Sequence, residues 1–306
     1  MTDDLLKKSG FSCGYVTILG RPNVGKSTLL NRLLDQKLSI ISRKPQTTRV
    51  HLLGIKNHDN YQAIYIDTPG IQNDFDSPLH RHMNAEAKNS LEGVDVILFI
   101  IEAMKWGKAD EVILDMIAGY KQMKFLVINK IDKYKDKSEL LPFIKTLSES
   151  VDDMEIIPIS ARLGKNIDIL EKLVAESLPA SPALYSEEHS TNRNKRFFAA
   201  EYLREKLINR LGDEIPYRLA VTIDEFEEDK DIINIKATIW VEGNSQKNIV
   251  VGKGGNILKL AGEAARKDME ILYDKKVYLN TWVKVKKNWT QLDSSLELFG
   301  LIDNEI

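Results

Sequence analysis

One eight-residue segment near the start of the chain has the residue types that hold phosphate groups. Residues 20–27 read Gly-Arg-Pro-Asn-Val-Gly-Lys-Ser and fit the pattern G-x-x-x-x-G-K-[ST]. They lie between a predicted strand, 14–19, and a predicted helix, 26–34, which is the setting that this motif requires. Its glycines let backbone N–H groups approach phosphates, and the start of a helix favours their negative charge. A glycine turn with an incidental lysine is the simpler alternative.

Within this segment we expect the chemistry to divide among a few residues. Lys26 would reach the β- and γ-phosphates of a nucleotide, and Ser27 would bind Mg²⁺. The remaining residues would supply backbone N–H groups and the first turn of the helix. The predicted contacts to the nucleotide phosphates are Gly20, Asn23, Val24, Gly25, Lys26, Ser27 and Thr28.

Three further motifs each follow a predicted strand. Asp-Thr-Pro-Gly at 67–70 stands at the end of one strand. Asn-Lys-Ile-Asp at 129–132 and Ser-Ala at 160–161 stand at the ends of two later strands. Because open α/β sheets bind ligands at the carboxyl ends of their strands, we expect these motifs to lie close together. There Asp67 would hold Mg²⁺ through water, and the backbone N–H of Gly70 would bind the γ-phosphate.

Asp132 is the residue that would select the base. An ionised carboxylate accepts two hydrogen bonds, which matches the N1–H and N2–H groups of guanine; adenine cannot offer that pair. A site built for such bonds rejects the analogue that lacks them, because its own polar groups would be left unpaired. The predicted guanine-nucleotide site therefore also includes Asn129, Lys130, Asp132, Ser160 and Ala161.

The elements that must position these motifs alternate along the first 180 residues. Apolar runs of strand length occur at 14–19, 61–67, 95–101, 124–129 and 156–160. Segments with helical spacing stand between them, at 26–34, 109–120, 138–149 and 166–178. This alternation predicts a mostly parallel sheet that is covered by helices on both faces.

A polar stretch that contains two prolines then predicts an interdomain linker. We place a nucleotide-binding domain at 1–182, the linker at 183–195 and a second domain at 196–306. The second domain reads as helix 197–211, strands 217–226 and 232–241, a helical segment 248–272 that has glycines near its start, and strand 277–285. The predicted order is helix, strand, strand, helix, helix and strand, which makes a small α+β domain.

Charge is segregated within this second domain. Residues 213–242 hold nine acidic against three basic side chains, and residues 246–292 hold ten basic against four acidic ones. The formal net charge of −2 for the whole chain therefore conceals a basic segment.

The basic segment contains a glycine motif that suits RNA. Gly-Lys-Gly-Gly at 252–255 matches G-x-x-G; two strands and an apolar run precede it, and a helix follows. That is the arrangement of a KH module, whose loop clamps the backbone of four nucleotides. Residues 249–251, 257 and 258 would form an apolar floor under the bases, although core packing is the alternative for each. The predicted RNA contacts are Lys247, Gly252, Lys253, Gly254, Gly255 and Arg266; Lys284, Lys286 and Lys287 are equally consistent with a solvated strand end.

Taken together, these motifs resemble those of the Era-type GTPases, which assemble ribosomes in bacteria. The similarity rests on the phosphate motif, on Gln-Thr-Thr-Arg at 46–49 and on Asp-Thr-Pro-Gly at 67–70. In the C-terminal half it rests on residues 264–269 and 282–289. The resemblance implies an α/β P-loop GTPase domain, with a mostly parallel sheet and helices on both faces, followed by an α+β type II KH domain.

The resemblance also implies an activity and its partners. It implies hydrolysis of GTP to GDP with Mg²⁺ held by Ser27, Thr48 and Asp67, with Thr47 as the second choice to Thr48. The KH domain would bind the 3′ end of 16S ribosomal RNA during maturation of the small (30S) ribosomal subunit. Peripheral association with the inner membrane is a further implication.

The catalytic residues implied are Lys26, Thr48 and Asn23. Ras-type enzymes carry a water-orienting glutamine directly after the Asp-x-x-Gly motif, whereas this chain carries Ile71. Related GTPases with an asparagine in the phosphate loop use it to bind K⁺, which would stabilise developing charge here. A plain turn role for Asn23 is the alternative.

Composition limits the remaining possibilities. The single cysteine, Cys13, excludes a disulfide framework and a multi-cysteine metal site. No run reaches the ~18 apolar residues of a membrane span, so we expect a cytoplasmic protein. We also expect a monomer. Two rival functions are an RNA-binding assembly factor that uses guanine nucleotide only as a structural ligand, and a metabolic P-loop kinase. The motif at 129–132 and the KH-like domain argue against the kinase.

Overall fold

The computed structural model describes residues 10–42, 44, 48–71, 78–151, 153–212 and 215–301. Within these ranges the chain forms two compact units. The first comprises residues up to 39, 48–71 and 83–192. The second comprises 40–42, 44, 78–82 and the chain from 193 onward.

A six-stranded sheet forms the centre of the first unit. Its strands are β1 (Ser12–Leu19), β2 (Leu52–Asn57), β3 (Tyr61–Asp67), β4 (Val96–Glu102), β5 (Met123–Asn129) and β6 (Glu155–Pro158). They stand in the order β2-β3-β1-β4-β5-β6, and all neighbours run parallel except β2, which is antiparallel to β3. The mostly parallel sheet is therefore confirmed. Strand β2 is absent from the predicted strands because Gly54 interrupts its short apolar run.

Helices cover both faces of this sheet. They are α1 (Lys26–Leu33), α2 (Pro78–Asn89), α3 (Lys108–Ala118), α4 (Leu140–Ser148) and α5 (Ile167–Ser177). Every residue of β4 is buried: Ile97, Phe99 and Ile101 share a core with α2, α3 and α4, so the alternate side chains are buried on the opposite face. Burial on both faces explains why this strand reads as a continuous apolar run. Helix α2 was not predicted.

The segment before residue 193 belongs to the first unit. Oε1 of Gln62 accepts the backbone N–H groups of Leu184 and Tyr185, at 2.8 and 3.0 Å. The N–H of Ile55 donates to the carbonyl of Ser190 at 2.9 Å. The bond from Ile55 pairs a backbone group at the outer edge of β2, so this edge strand is partly covered.

The second unit contains a three-stranded sheet packed against helices. Its elements are α6 (Lys195–Ile208), β7 (Ala220–Glu228), β8 (Ile232–Val241), α7 (Asn244–Val251), α8 (Asn256–Tyr273), β9 (Lys276–Val285) and α9 (Asp293–Leu298). Strand β8 pairs antiparallel with β7 and parallel with β9. The predicted order of helix, strand, strand, helix, helix and strand is confirmed. The two helices of the predicted helical segment 248–272 are separated by the glycines at 252–255, whose positive φ angles break a helix. Helix α9 was not predicted.

The core of the second unit draws on residues distant in sequence. Tyr202 and Leu203 of α6, the inward side of β8 and Ala261, Ala265 and Met269 of α8 form one apolar cluster. Ile40, only 2% exposed, belongs to the same cluster. Beside it, the N–H of Ile41 donates to Oε1 of Glu205 at 3.0 Å.

Among the residues that the model describes, no helix is long and apolar enough to cross a bilayer.

Candidate functional site

The loop between β1 and α1 closes around the ammonium group of Lys26. Its Nζ donates hydrogen bonds to the carbonyl oxygens of Gly20 and Arg21, both at 3.0 Å. The loop can turn so tightly because Asn23 and Gly25 have positive φ angles of 63° and 109°. Helix α1 begins at Lys26, so the N–H groups of its first turn lack partners within the helix and are available to an anion.

The surroundings of Lys26 lower the pKa of its ammonium group. Burial lowers the pKa of Lys26 to about 8, and the attraction of Asp67 opposes this shift. A buried ammonium gains strongly from an anionic ligand, because it has lost its hydration. The predicted residues Val24 and Thr28 flank this point, Val24 in the loop and Thr28 in the first turn of α1.

Three oxygen-bearing side chains converge next to the loop. Oγ of Ser27 lies 3.0 Å from Oδ2 of Asp67 and 2.9 Å from Oγ1 of Thr48. A fourth, Ser39, donates to the same Oδ2 at 2.7 Å; it lies outside the motifs, so sequence reasoning missed it. Thr47 lies outside the described residues.

Asp67 has the properties of a residue that binds a hard cation. Its Oδ1 is buried and makes no hydrogen bond to any residue that the model describes. Burial raises the pKa of Asp67, while hydrogen bonds from Ser39 and Ser27 and the charge of Lys26 lower it. A few oxygen ligands with space for water and phosphate suit Mg²⁺, so Ser27, Thr48 and Asp67 fit that ion.

The end of the Asp-Thr-Pro-Gly motif lies against the phosphate loop. A Cβ atom at Gly70 would come within 2.8 Å of the backbone nitrogen of Pro22, so only glycine fits this approach. The next residue, Ile71, is buried in the apolar core of the first unit. Its side chain therefore cannot orient an attacking water molecule.

Asn129 connects three of the predicted motifs. Its Nδ2 donates to the carbonyl of Val24 in the phosphate loop at 2.8 Å. Its Oδ1 accepts the N–H groups of Lys130 and Ala161, at 2.7 and 3.0 Å. A Cβ atom at Gly25 would lie 2.3 Å from this Nδ2, so the contact requires glycine there.

Asp132 presents an ionised carboxylate at the same edge of the sheet. Oγ of Ser160 donates to its Oδ1, and Nη2 of Arg162 pairs with its Oδ2, both at 2.7 Å. Burial acts to raise the pKa of Asp132, but the hydrogen bond from Ser160 and the charge of Arg162 outweigh it and hold that pKa below its usual value.

An ion-pair cluster that was not predicted supports Lys130. Its Nζ pairs with Glu102 at 2.7 Å and also donates to the carbonyl of Asn23. Lys133 and Lys105 pair with the same carboxylate at 2.6 and 3.0 Å. Burial opposes ionisation of Glu102, but the three lysines prevail and lower its pKa to about 2.

In the second unit the glycine turn joins α7 to α8. Gly252, Gly254 and Gly255 have φ angles of 75°, 60° and 78°. A Cβ atom at Gly252 would lie 2.7 Å from Ile257, whereas one at Gly254 would meet nothing within 4 Å. The turn is thus tight on its inner side and open to a ligand at Gly254, beside the exposed Lys253.

The other predicted RNA contacts have mixed surroundings. Lys247 lies on α7 and is partly buried, and Nη1 of Arg266 pairs with Glu270 at 2.8 Å. Of the predicted apolar floor, Ile249 is 47% exposed, but Val250 is fully buried and faces the core, because helical geometry turns these neighbours to different sides. Lys284 and Lys286 lie over the rings of Trp240 and Phe299.

Comparisons with known proteins agree with this geometry. Residues 15–130 match the family described as "50S ribosome-binding GTPase", and residues 214–290 match the KH domain family. The GTPase Era of Ectopseudomonas mendocina is 48% identical over 291 residues, which cover 95% of this chain and 97% of the relative. The GTPase Era of Pseudomonas aeruginosa is 46% identical over 303 residues, 99% of both chains.

Two solved structures of the same family superpose on nearly the whole chain. One is Era in complex with MgGDPNP and nucleotides 1506–1542 of 16S ribosomal RNA, with a TM-score of 0.92 and 41% identity over 95% of this chain and 99% of the other. The second is an Aquifex aeolicus Era variant bound to GDP and AlF4⁻, with a TM-score of 0.92 and 40% identity at the same coverage. Since sequence, fold and motifs agree over both units, the chain belongs to the Era family of GTPases, which join a P-loop GTPase domain to a C-terminal KH domain.

Proposed function

We propose that this chain is a GTP-hydrolysing switch that binds the 3′ end of 16S ribosomal RNA and assists maturation of the small ribosomal subunit. The observation that carries the nucleotide part is the Asn129 side chain, which joins the phosphate loop at Val24 to Ala161 beside the base-selecting Asp132. The solved relatives hold MgGDPNP with 16S ribosomal RNA, or GDP with AlF4⁻, which supports both parts.

In this proposal each motif has one task. The loop residues from Gly20 to Thr28 hold the phosphates through backbone N–H groups, and Lys26 leaves its carbonyl partners to pair with the β- and γ-phosphates. Ser27, Thr48 and Asp67 would hold Mg²⁺, which when bound bridges the phosphates and neutralises their charge. The backbone N–H of Gly70 binds the γ-phosphate.

The base is held at the opposite end of the site. Asp132 accepts the two N–H donors of guanine, while Ser160 fixes the orientation of the carboxylate. Asn129 holds Ala161 next to the phosphate loop, and Lys130 donates a hydrogen bond to the carbonyl of Asn23. These residues therefore position guanine and phosphates relative to one another.

Hydrolysis needs a group that compensates for Ile71. We propose that Asn23 would hold K⁺, as the resemblance to related GTPases implies, and that the ion would supply positive charge to stabilise the negative charge developing on the phosphates. Position 71 holds a buried isoleucine instead of a glutamine, so another group must assist hydrolysis.

The RNA part rests on the open glycine turn. The RNA backbone would pass over Gly254, where no side chain obstructs it, with Lys253 and Lys247 supplying charge. Gly252 and Gly255 keep the turn tight, and Arg266 would contact phosphate from α8. We further propose that the chain is a cytoplasmic monomer with peripheral association at the inner membrane.

The burial of Ile71 favours one second candidate, an RNA-binding assembly factor in which guanine nucleotide is only a structural ligand. Phosphate release from GTP under multiple turnover separates the two. Turnover with GTP but not ATP supports the GTPase; tight GDP binding without turnover supports the alternative. Crosslinking in cells then shows whether residues 246–290 contact the 3′ end of 16S ribosomal RNA.

A further inference from the structure

Arg162 forms an ion pair with the Asp132 carboxylate, which the guanine base needs as its hydrogen-bond acceptor. Its Nη2 lies 2.7 Å from Oδ2 of Asp132, while Ser160 takes Oδ1. The two partners differ in exposure, since the side chain of Asp132 is 6% exposed and that of Arg162 is 74% exposed. Arg162 therefore covers the solvent-facing side of a carboxylate that is otherwise enclosed.

The backbone that carries Arg162 is held by hydrogen bonds from Arg32. Its carbonyl accepts a hydrogen bond from Nη2 of Arg32 at 2.9 Å, and the carbonyl of Ala161 accepts one from Nε of the same arginine at 3.2 Å. Ser160 is fixed as well, because its Oγ accepts the N–H of Leu163 at 3.1 Å while it donates to Asp132. The backbone and Ser160 thus form a fixed frame.

Arg162 lies on the exposed side of Asp132, where a base from solvent would approach. The N1–H and N2–H groups of guanine must approach both carboxylate oxygens, and Arg162 already uses a lone pair of one of them. Guanine can replace that bond with its own donors. Adenine presents no such pair of donors, so it would break the ion pair without replacing it.

We propose that Arg162 is a positioning residue that pairs with Asp132 and is displaced when guanine binds. This inference rests on the proposed guanine-nucleotide function. The pair keeps the carboxylate oriented, slows entry of any base, and adds to the rejection of adenine. An exposed ion pair contributes about 0.2–1 kcal/mol, which corresponds to roughly a 1.4- to 5-fold change in rate or affinity.

The test is stopped-flow binding of fluorescent methylanthraniloyl GDP and ADP to the full chain and to Arg162→Met, which keeps an unbranched apolar side chain but removes the guanidinium group. We expect association of GDP to be roughly 1.4- to 5-fold faster in the variant, and the preference for GDP over ADP to fall by a similar factor. Lys165→Met is the matched control, since it removes an exposed positive charge from the same loop. Loss of attraction to the anionic nucleotide should make this control slower, the opposite sign.

A double-mutant cycle ties the effect to Asp132. With Asp132→Asn and the xanthosine analogue, Arg162→Met should no longer speed association, because the ion pair is already absent. Slower or weaker GDP binding by Arg162→Met, or an equal effect in both backgrounds, would overturn the proposal. If the unmodified chain binds no guanine nucleotide at all, the proposed function fails instead.

Discussion

The hydroxyl of Ser39 donates a 2.7 Å hydrogen bond to Oδ2 of Asp67, the carboxylate that the Asp-Thr-Pro-Gly motif supplies. Ser39 is itself buried, and its N–H is held by Oδ1 of Asn31 at 2.8 Å. A residue outside every motif thus orients the carboxylate that we propose as a ligand of Mg²⁺.

We expect Ser39→Ala to lower the free energy of unfolding of the nucleotide-free chain by about 1–3 kcal/mol, because a buried carboxylate loses a charge-assisted hydrogen bond. With Mg²⁺ and GDP present the loss should be smaller, since the ion would compensate Asp67. Urea denaturation with and without Mg²⁺ and GDP measures both values. An equal loss in both conditions would mean that Asp67 does not meet the ion.

Asp132→Asn should change the preferred base. The new amide offers a donor to the extra oxygen of xanthine and loses an acceptor for guanine, so xanthosine triphosphate should replace GTP as the tighter ligand. Competition binding with both nucleotides measures the change. Unchanged GTP affinity would assign base selection to another residue.

Replacing Na⁺ by K⁺ at equal ionic strength should accelerate GTP hydrolysis. If K⁺ acts at Asn23, Asn23→Ala should remove the difference and leave GDP binding intact. Steady-state phosphate release in the two salts, with and without the substitution, gives the comparison. Identical rates in both salts would exclude a catalytic K⁺ ion.

Glu102→Gln should destabilise the chain only where the carboxylate is ionised. The folded-state pKa of Glu102 is lowered to about 2, so its stabilisation is complete above the unfolded pKa of about 4.3 and is lost as pH falls toward 2. Because Lys105 and Lys133 are more than half exposed, water screens the pairs, and we expect about 1–3 kcal/mol at pH 7.

Urea unfolding from pH 7 down to pH 3 measures this difference, which should shrink in the acid range. Glu111→Gln, at an exposed acid of α3, is the matched control. A difference that is independent of pH would show that packing, rather than charge, explains the effect of Glu102.

Nucleotide and RNA should influence each other. If GTP favours the RNA-competent shape, linkage requires RNA to tighten GTP binding by the same factor, and couplings are usually about 5- to 150-fold. We therefore expect an RNA from the 3′ end of 16S ribosomal RNA to bind more tightly with a non-hydrolysable GTP analogue than with GDP. Equal affinities would mean that the two units are merely tethered.

Gly254→Asp should abolish RNA binding in both nucleotide states. The position is open and has a φ of 60°, which aspartate and asparagine tolerate better than other side chains. Gly254→Asn is therefore the matched control, since it has the same shape without the charge and should bind RNA more tightly than the aspartate variant. Equal loss in both would indicate obstruction instead of repulsion.

The sequence predicted elements well where one physical signal dominated. Strands β3 and β8 have the predicted bounds, 61–67 and 232–241, because apolar runs or strict alternation end at turn residues. Strand β2 and helix α2 were missed, since their apolar patterns are short and they are stabilised by contacts across the unit. Propensity and spacing do not contain that information.

The same division applies to the site. The motif residues come together as predicted because each follows a strand of one sheet. Ser39, Glu102 and Arg162 were missed, since their partners Asp67, Lys130 and Asp132 are 28 to 30 residues away along the chain. Only the fold shows that these residues are paired.

Ile40 is synthesised long before the rest of the core that it joins in the second unit. The N–H of Ile41 beside it bonds to Glu205, 164 residues later in the chain. At about 5–20 residues per second, a ribosome makes Glu205 roughly 8 to 33 s after Ile41. For that interval an apolar side chain of the finished core has no site to enter, and a fragment that begins at residue 193 would never receive it.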